Sequence, residues 1–154
     1  MTTEPSQQPF FPHSTPSRFI GALGFTIEEV SGTRVTGYLD LGPDHHTPWG
    51  VVHGGVYASI VEGASSVGAS AAVADRQQFA VGVHNATDFL RPSSGGRALV
   101  VAEALHQGKT QQLWQTVITD ALSGKVLARG QLRLHNIAQP SNRGGEETQH
   151  SSQS

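Results

Sequence analysis

The sequence predicts an α+β fold in which a curved, largely antiparallel sheet wraps around one long central helix, in the order β-β-α-β-β-β-β. Two observations support this fold class. Residues 54–74 are rich in Ala, Ser and Gly and predict a single helix that is roughly 30 Å long. Strand-like runs follow that helix with no further helix between them, so neighbouring strands should pair antiparallel.

Strand patterns flank the central helix on both sides. Before it, residues 23–30 and 33–40 predict a hairpin that turns at Ser31 and Gly32. After it, turn residues separate predicted strands at 78–91, 97–107, 110–121 and 125–136. The last strand alternates between a core face and a polar face. Its predicted core face consists of Val126, Ala128, Gly130, Leu132 and Leu134.

Small residues along the helix predict that it is buried against a close-fitting sheet. Gly63 and Gly68 lower helix stability, so each should have a packing reason, although the abundance of Ala alone would also favour a helix. Residues 51–74 are long enough to span a bilayer. The acid at position 62 would be costly in hydrocarbon, so we expect a buried helix in a water-soluble fold.

The composition fits a single cytoplasmic domain. A chain of 154 residues has room for one ordinary core, and a formal net charge of −2 provides no basic surface for nucleic acid or anionic lipid. Cysteine is absent, which excludes disulfides and thiolate chemistry. Residues 1–17 and 138–154 are polar, so we expect disordered tails around a domain at 18–137 and no secretory signal.

The start of the central helix is the first candidate site. A His53-Gly54-Gly55 turn at a helix N-terminus leaves backbone N–H groups unpaired, where the helix dipole also favours negative charge. The Gly54 N–H is the candidate donor to a substrate carbonyl that becomes an oxyanion, and the missing Cβ atoms of Gly54 and Gly55 allow a close approach. The alternative is that Gly-Gly only forms a tight turn into the helix.

Glu62 is the second candidate. It lies eight residues after Gly54 on a helix that is otherwise free of charge. We expect such a carboxylate to be desolvated and able to act as a base or nucleophile. Ser66 follows one turn later and could hydrogen-bond the carboxylate or an attacking water. The alternatives are that Glu62 faces solvent or pairs with an Arg, and that Ser66 is ordinary packing.

Other kinds of site find less support. His45 and His46 could be combined with His53 or His84, but their spacing matches no metal-ligand pattern, so we predict no metal site. The sequence also lacks a nucleophile elbow for Ser-His-Asp chemistry and a Gly-rich phosphate loop with a following Lys.

Two motifs together carry a family resemblance. His53-Gly54-Gly55 with Glu62, followed by the segment Asn85-Ala-Thr-Asp-Phe-Leu-Arg-Pro92, resembles the PaaI-type branch of the hotdog-fold acyl-CoA thioesterases. Within that branch the pattern is most similar to the Arthrobacter-type 4-hydroxybenzoyl-CoA thioesterase and related actinobacterial proteins, over about residues 20–137. The resemblance implies hydrolysis of a thioester to free acid and CoA by a dimer or a homotetramer. It also implies that CoA enters as part of the substrate and that no resident cofactor is needed.

The same resemblance implies roles at the helix. Glu62 matches the carboxylate that serves as nucleophile or general base, Gly54 matches the oxyanion-hole amide, and His53 matches the histidine that supports the turn. Ser66 falls where the Arthrobacter type has a threonine that positions water. Thr47 falls where that type has a glutamine contacting the thioester, so the chain departs from the pattern there.

The resemblance further implies a substrate-binding strand and a CoA-binding group. Asn85 and Thr87 lie on the strand that closes the site from the neighbouring subunit. Basic and polar residues at strand ends and turns are candidates for the CoA phosphates: Arg91, Arg97, Lys109 and Thr110. The alternative for each is a solvated surface residue.

Two other functions stay open on the sequence. A hotdog enoyl-CoA hydratase would need an Asp/His pair at the alkene, which the sequence does not offer. A non-catalytic binder of acyl-CoA or acyl-carrier protein would lack the acid at position 62 or would tie it to an Arg. The acyl group, the choice between CoA and a carrier protein, and the choice between an acyl-enzyme anhydride and an activated water are also open.

Overall fold

The computed structural model describes residues 17–140. The predicted disordered tails therefore lie outside the described residues, apart from their inner ends. Ser17 is already ordered, because its hydroxyl caps the first helix by accepting a hydrogen bond from the Ile20 N–H. The last strand likewise continues to Ala138, two residues beyond its predicted end.

The predicted α+β fold is confirmed, with one additional short α-helix and two single-turn 3-10 helices, at Pro43–His45 and Ala74–Arg76. The elements in chain order are α1 (Arg18–Leu23), β1 (Thr26–Val30), β2 (Arg34–Leu41), α2 (Gly54–Val73), β3 (Gln78–Phe89), β4 (Gly96–Gln107), β5 (Gln111–Asp120) and β6 (Val126–Ala138). The prediction of a strand from residue 23 was wrong at its start. Helix α1 ends at Gly24, whose φ of 74° reverses the chain direction before β1 begins.

The strands form one sheet in the order β1-β2-β4-β5-β6-β3, and every neighbouring pair is antiparallel. Helix α2 packs across one face of this sheet. The predicted alternation of β6 is confirmed from Ala128 onward, while Leu127 is buried as well. The largest fully buried apolar side chains are Trp114, Leu39, Ile60, Ile118, Leu132 and Leu134.

A β-bulge in β3 determines which side chains of that strand face α2. The register shifts between Gly82 and His84, so the residues that face the helix are even-numbered before Val83 and odd-numbered after it. Ala80 and Gly82 therefore lie against the later turns of α2, and Asn85, Thr87 and Phe89 lie against its first turns.

The small residues of α2 allow close packing at one of the two predicted positions. A Cβ on Gly68 would collide with the indole ring of Trp114 and would lie 2.9 Å from Val35 Cγ2. A Cβ on Gly63 would meet only the flexible end of Ile20 on α1, at 2.9 Å. Among residues 17–140, no helix combines the length and the hydropathy that a membrane span would need.

Candidate functional site

At the N-terminus of α2, the Gly55 and Val56 amides are paired with His53, and the Gly54 amide is unpaired within residues 17–140. His53 is the N-cap, and its Nδ1 accepts a hydrogen bond of 2.8 Å from the Gly55 N–H. The His53 N–H donates to the His45 carbonyl at 2.8 Å, which fixes the entry of the chain into the helix. No group within residues 17–140 accepts a hydrogen bond from the Gly54 N–H. That amide is therefore available to an external acceptor at the positive end of the helix dipole.

Histidines anchor the loop that leads into α2. His45 Nδ1 accepts from the Gly42 N–H at 3.1 Å, and its Nε2 donates to the Leu23 carbonyl at 2.7 Å. His46 Nε2 donates to the Ser94 carbonyl at 2.7 Å. Both side chains thus tie the loop to neighbouring segments. Across the part of the chain that the structure describes, no group of three or more metal-ligating side chains is found.

Thr47 lies at the tip of the same loop and is occupied by its own turn. Its N–H donates to the Val51 carbonyl at 2.7 Å, and its hydroxyl accepts from the Trp49 N–H at 3.3 Å. The Thr47 side chain therefore stabilises a turn that presents Trp49 to solvent.

An apolar groove of about 280 Å³ opens beside Gly54. Its walls include Tyr57 of α2, Phe89 at the end of β3, and Leu90 and Arg91 in the loop that follows. The Phe89 ring lies directly over Gly54, because a Cβ at position 54 would be 2.6 Å from Phe89 Cε2. Phe89 is 57% exposed, so its ring lies largely outside the core.

Tyr57 is the least expected residue of this groove. It is only 2% exposed, its ring centroid lies 6.4 Å from that of Phe89, and its buried hydroxyl has no hydrogen-bond partner within residues 17–140. An unpaired buried hydroxyl costs about 1–3 kcal/mol of stability. Burial also raises the pKa of Tyr57 above its ordinary value, so the phenol stays protonated and can only act as a neutral donor or acceptor near neutral pH.

Neither Tyr57 nor Phe89 was predicted as a site residue, although the sequence carries a signal for each. Tyr57 comes three residues after Gly54, so it lies close to Gly54 on the helix surface. Phe89 continues the alternation of Asn85 and Thr87 on β3 and therefore shares their face. Both rings were assigned no role, because neither carries a charge or belongs to the His-Gly-Gly motif.

Glu62 is exposed in the single chain. The expectation that its carboxylate is desolvated is therefore wrong for the chain taken alone. No salt bridge or side-chain hydrogen bond to Glu62 is found in the described residues, so the alternative of an Arg partner finds no support either. Its Oε1 lies 3.5 Å from where a Cβ on Gly82 would be, which places the carboxylate beside the bulge of the edge strand β3.

Among the other polar candidates near α2, Asn85 and Thr87 make side-chain hydrogen bonds within the chain, and Ser66 is described by its burial. Asn85 Nδ2 donates to the Ala58 carbonyl at 3.0 Å, and the Thr87 hydroxyl donates to Asn85 Oδ1 at 2.6 Å. These two side chains thus brace β3 against α2 within one chain, and they do not line the groove beside Gly54. Ser66 is half-buried one helical turn after Glu62, as its spacing predicts.

Only one of the candidate CoA ligands lies at the groove. Arg91 lines it. Arg97 is committed to Asp40 through hydrogen bonds of 2.8 and 3.1 Å, and its guanidinium lies 4.0 Å from the centre of the Tyr38 ring. The hydrogen bond from Arg97 lowers the pKa of Asp40, which keeps this pair ionised. Arg97 is therefore a poor phosphate ligand in the single chain.

Lys109 and Thr110 lie at the opposite end of the sheet. They form the turn between β4 and β5, where Asn136 Nδ2 donates to the Lys109 carbonyl at 3.2 Å and the Asn136 N–H donates to the Thr110 carbonyl at 2.8 Å. Asn136 is near the end of β6, whereas Phe89 pairs with Ala128 near the start of that strand. A single chain therefore does not bring this turn together with Gly54 and Arg91.

The chain is similar to known proteins over most of its length. A family model described as Thioesterase superfamily matches residues 50–126. A provisionally named esterase of Mycobacterium tuberculosis is 38% identical over 136 residues, which cover 87% of this chain and 96% of the relative. The solved structure of that esterase aligns with a TM-score of 0.76 at 40% identity, covering 80% of this chain and 98% of its own.

Two further matches extend this picture. The 1,4-dihydroxy-2-naphthoyl-CoA thioesterase 2 of Arabidopsis thaliana is 39% identical over 95 residues, which cover 60% of this chain and 59% of the relative. The PaaI protein of Escherichia coli, from the phenylacetic acid degradation operon, aligns with a TM-score of 0.70, covering 78% of this chain and 84% of its own. At 23% identity, the PaaI match supports the fold alone.

Proposed function

Because this chain belongs to the Thioesterase superfamily and is a thioester hydrolase with the hotdog fold, we propose that its substrates are acyl-CoA thioesters. One observation carries the proposal: within residues 17–140, a single helix has an unpaired amide at its start, beside an apolar groove, and a carboxylate without a partner at Glu62. The Arabidopsis relative is by name a CoA thioesterase, which supports CoA as the carrier. The finer resemblance to the Arthrobacter type stays a prediction.

In the proposed chemistry, the Gly54 N–H and the Glu62 carboxylate have one role each. The substrate carbonyl oxygen accepts a hydrogen bond from the Gly54 N–H, where the helix dipole stabilises the negative charge that develops on it. The Glu62 carboxylate then either attacks the carbonyl carbon, giving an acyl-enzyme anhydride and CoA thiolate, or takes a proton from the attacking water. His53 holds the amide in place by capping the helix.

The spacing of these two groups implies that two chains build each site. Gly54 and Glu62 are eight residues apart, which is about 12 Å along a helix axis. A Glu side chain cannot reach over that distance to a carbonyl held at the Gly54 amide of its own helix. We therefore infer that the site combines Gly54 of one copy with Glu62 of a second copy, and that burial by the second copy supplies the desolvation that the single chain lacks.

The edge strand β3 is the element through which the copies would pair. Among the strands that the structure describes, β3 has β6 as its only neighbour, so its other edge offers unpaired backbone groups to a twofold-related copy. Val83, at the bulge next to Glu62, is 55% exposed and apolar. Pairing through β3 would place two copies of α2 beside one interface. In a dimer of dimers, the turn between β4 and β5, which contains Lys109, would come close to the site of a neighbouring copy.

We expect Val83→Lys to convert the protein from a dimer or tetramer to a monomer and to lower thioesterase activity about tenfold or more. A lysine from each copy would then lie in the proposed β3 interface, and like charges brought together in an interface are repulsive. Light scattering coupled to size exclusion measures the mass, and CoA release measures the activity. Leu122→Lys is the control, because Leu122 is 97% exposed in the turn between β5 and β6 and should tolerate the charge. A monomeric variant with full activity would contradict the shared site.

The function itself is tested by incubating the purified protein with a panel of saturated and unsaturated acyl-CoA substrates. We expect release of free CoA, detected with a thiol reagent, in equal amount to the acid formed. A hydratase would consume the enoyl absorbance of an unsaturated substrate without releasing thiol. A non-catalytic binder would retain acyl-CoA on the protein without turnover, and either result would replace the proposal.

A further inference from the structure

A buried group of amide side chains connects the later part of α2 with the turn between β4 and β5. The indole N–H of Trp114 can only donate, and it donates to Gln112 Oε1 at 2.9 Å. Gln112 Nε2 therefore faces the other way, and it donates to the Ala69 carbonyl and to Asn136 Oδ1, both at 2.9 Å. Because the oxygen of the Asn136 amide faces Gln112, its Nδ2 faces the turn.

Asn136 binds three consecutive carbonyl groups of that turn. Its Nδ2 donates to the Gly108 carbonyl at 3.3 Å and to the Lys109 carbonyl at 3.2 Å, and its N–H donates to the Thr110 carbonyl at 2.8 Å. In a trans peptide, the C=O and N–H groups point in opposite directions. The Lys109 and Thr110 N–H groups therefore point away from Asn136, and neither donates a hydrogen bond within residues 17–140.

The turn combines these outward N–H groups with a positive charge. Lys109 and Thr110 are both exposed, and the sequence has no acidic residue between Glu103 and Asp120. Two outward amides, an ammonium group and a hydroxyl are donors that suit a phosphate. Without the Asn136 side chain, the first two carbonyls of the turn would lose the donor that holds them inward.

The pairing proposed for β3 would bring this turn to the site of a second copy. A strand that pairs with its own twofold-related copy runs antiparallel to it, so opposite ends of the two copies meet at each end of the joined sheet. Asn136 pairs with Ala80 near the start of β3, whereas Gly54 lies against Phe89 at its end. Each turn would therefore lie at the same end as the Gly54 groove of the other copy, three strand spacings or about 14 Å from the β3 strand of that copy. The pantetheine arm of CoA, which separates the thioester from the phosphates, can bridge such a distance.

We propose that Asn136 is a positioning residue that orients the turn of Lys109 and Thr110 to bind the phosphate groups of CoA. The inference rests on the proposed function and deepens it, because it names a buried residue through which the protein favours a carrier with phosphates. Asn136 touches no substrate and acts through the two backbone amides of the turn. Its loss should therefore weaken binding of the carrier and leave the chemistry at Gly54 and Glu62 unchanged.

The test compares the full-length wild-type protein with Asn136→Ala on two thioesters of the same acyl group. One is the acyl-CoA, and the other is the acyl-N-acetylcysteamine, which has no phosphate. We expect Asn136→Ala to raise KM for the acyl-CoA about tenfold with little change in kcat, and to keep kcat/KM for the short thioester within about twofold of wild type. If Asn136→Ala does not fold, Asn136→Ser, which keeps a hydroxyl beside Gln112, is measured against the same criteria.

Ser31→Ala is the matched control. Ser31 Oγ accepts hydrogen bonds from the Thr33 and Arg34 N–H groups in the turn between β1 and β2, at the same end of the sheet. Its loss also loosens a turn, but that turn is not a candidate for CoA. We expect the control to keep the wild-type KM for the acyl-CoA.

The outcomes separate this inference from the proposed function. If Asn136→Ala lowers kcat/KM for both thioesters by the same factor, Asn136 only supports the fold and the inference is wrong. An unchanged KM for the acyl-CoA in that variant also overturns it, as does a wild-type protein that hydrolyses both thioesters with equal kcat/KM. These three results leave the thioesterase intact. Absence of hydrolysis with both thioesters would overturn the proposed function as well.

Discussion

Glu62→Gln is expected to lower kcat/KM for acyl-CoA hydrolysis about 1,000-fold, the size of effect that loss of a base or nucleophile produces. Glutamine has nearly the same shape but can neither take a proton from water nor attack a carbonyl carbon, so both proposed routes lose the same group. Glu62 is exposed and makes no ion pair in the described residues. Its replacement therefore breaks no ion pair within residues 17–140 of one chain, and because the proposed second copy would desolvate the carboxylate, the neutral glutamine should leave the assembled protein at least as stable as wild type.

The measurement combines initial rates of CoA release with thermal unfolding of the same preparations. Glu28→Gln is the matched control, since Glu28 is an exposed acid on β1 and lies on a strand far from β3 in the sheet order. We expect that control to keep the wild-type rate. A loss of only two- or threefold in Glu62→Gln would assign Glu62 a supporting role and would require another group to activate the nucleophile.

The start of α2 could be predicted from sequence because its signals are local. His53-Gly54-Gly55 contains both the cap and the flexible turn, and the structure places the helix start at Gly54 as predicted. The spacing to Glu62 follows from helix geometry alone. The exposure of Glu62 could not be predicted in the same way, because it depends on whether a second chain covers the residue, and helix periodicity contains no information about a second chain.

Contacts between strands that are distant in the chain also could not be predicted from the sequence. Asp40 and Arg97 are register partners on β2 and β4, and this pairing takes Arg97 away from the predicted CoA site. The bulge at Val83 changes which β3 residues face the helix. Gly82 beside it is a residue type that often accompanies a bulge, but the alternation of the strand does not show where the register shifts. A pattern of alternation predicts that a strand exists, but it does not determine the partner of that strand or the residue where its register shifts.

The second prediction with a large expected effect concerns the stability of the packing between α2 and the sheet. We expect Gly68→Ala to lower the free energy of unfolding by about 3 kcal/mol, because an added methyl group would be forced into the Trp114 ring. That ring is fully buried, and its Nε1 donates to Gln112 Oε1 at 2.9 Å. Gln112 in turn donates to the Ala69 carbonyl at 2.9 Å. The ring therefore cannot retreat without breaking a buried hydrogen bond.

Gly63→Ala, five residues earlier on the same helix, is the matched comparison. The same methyl group would meet only Ile20 Cδ1, the flexible end of a side chain on α1. Alanine is favoured over glycine in a helix by up to about 1 kcal/mol, so this variant should be as stable as wild type or more stable. Urea unfolding of both variants measures the difference. Equal effects would mean that helix propensity governs both positions, whereas opposite effects would show that close contact between helix and sheet requires glycine only where α2 crosses Trp114.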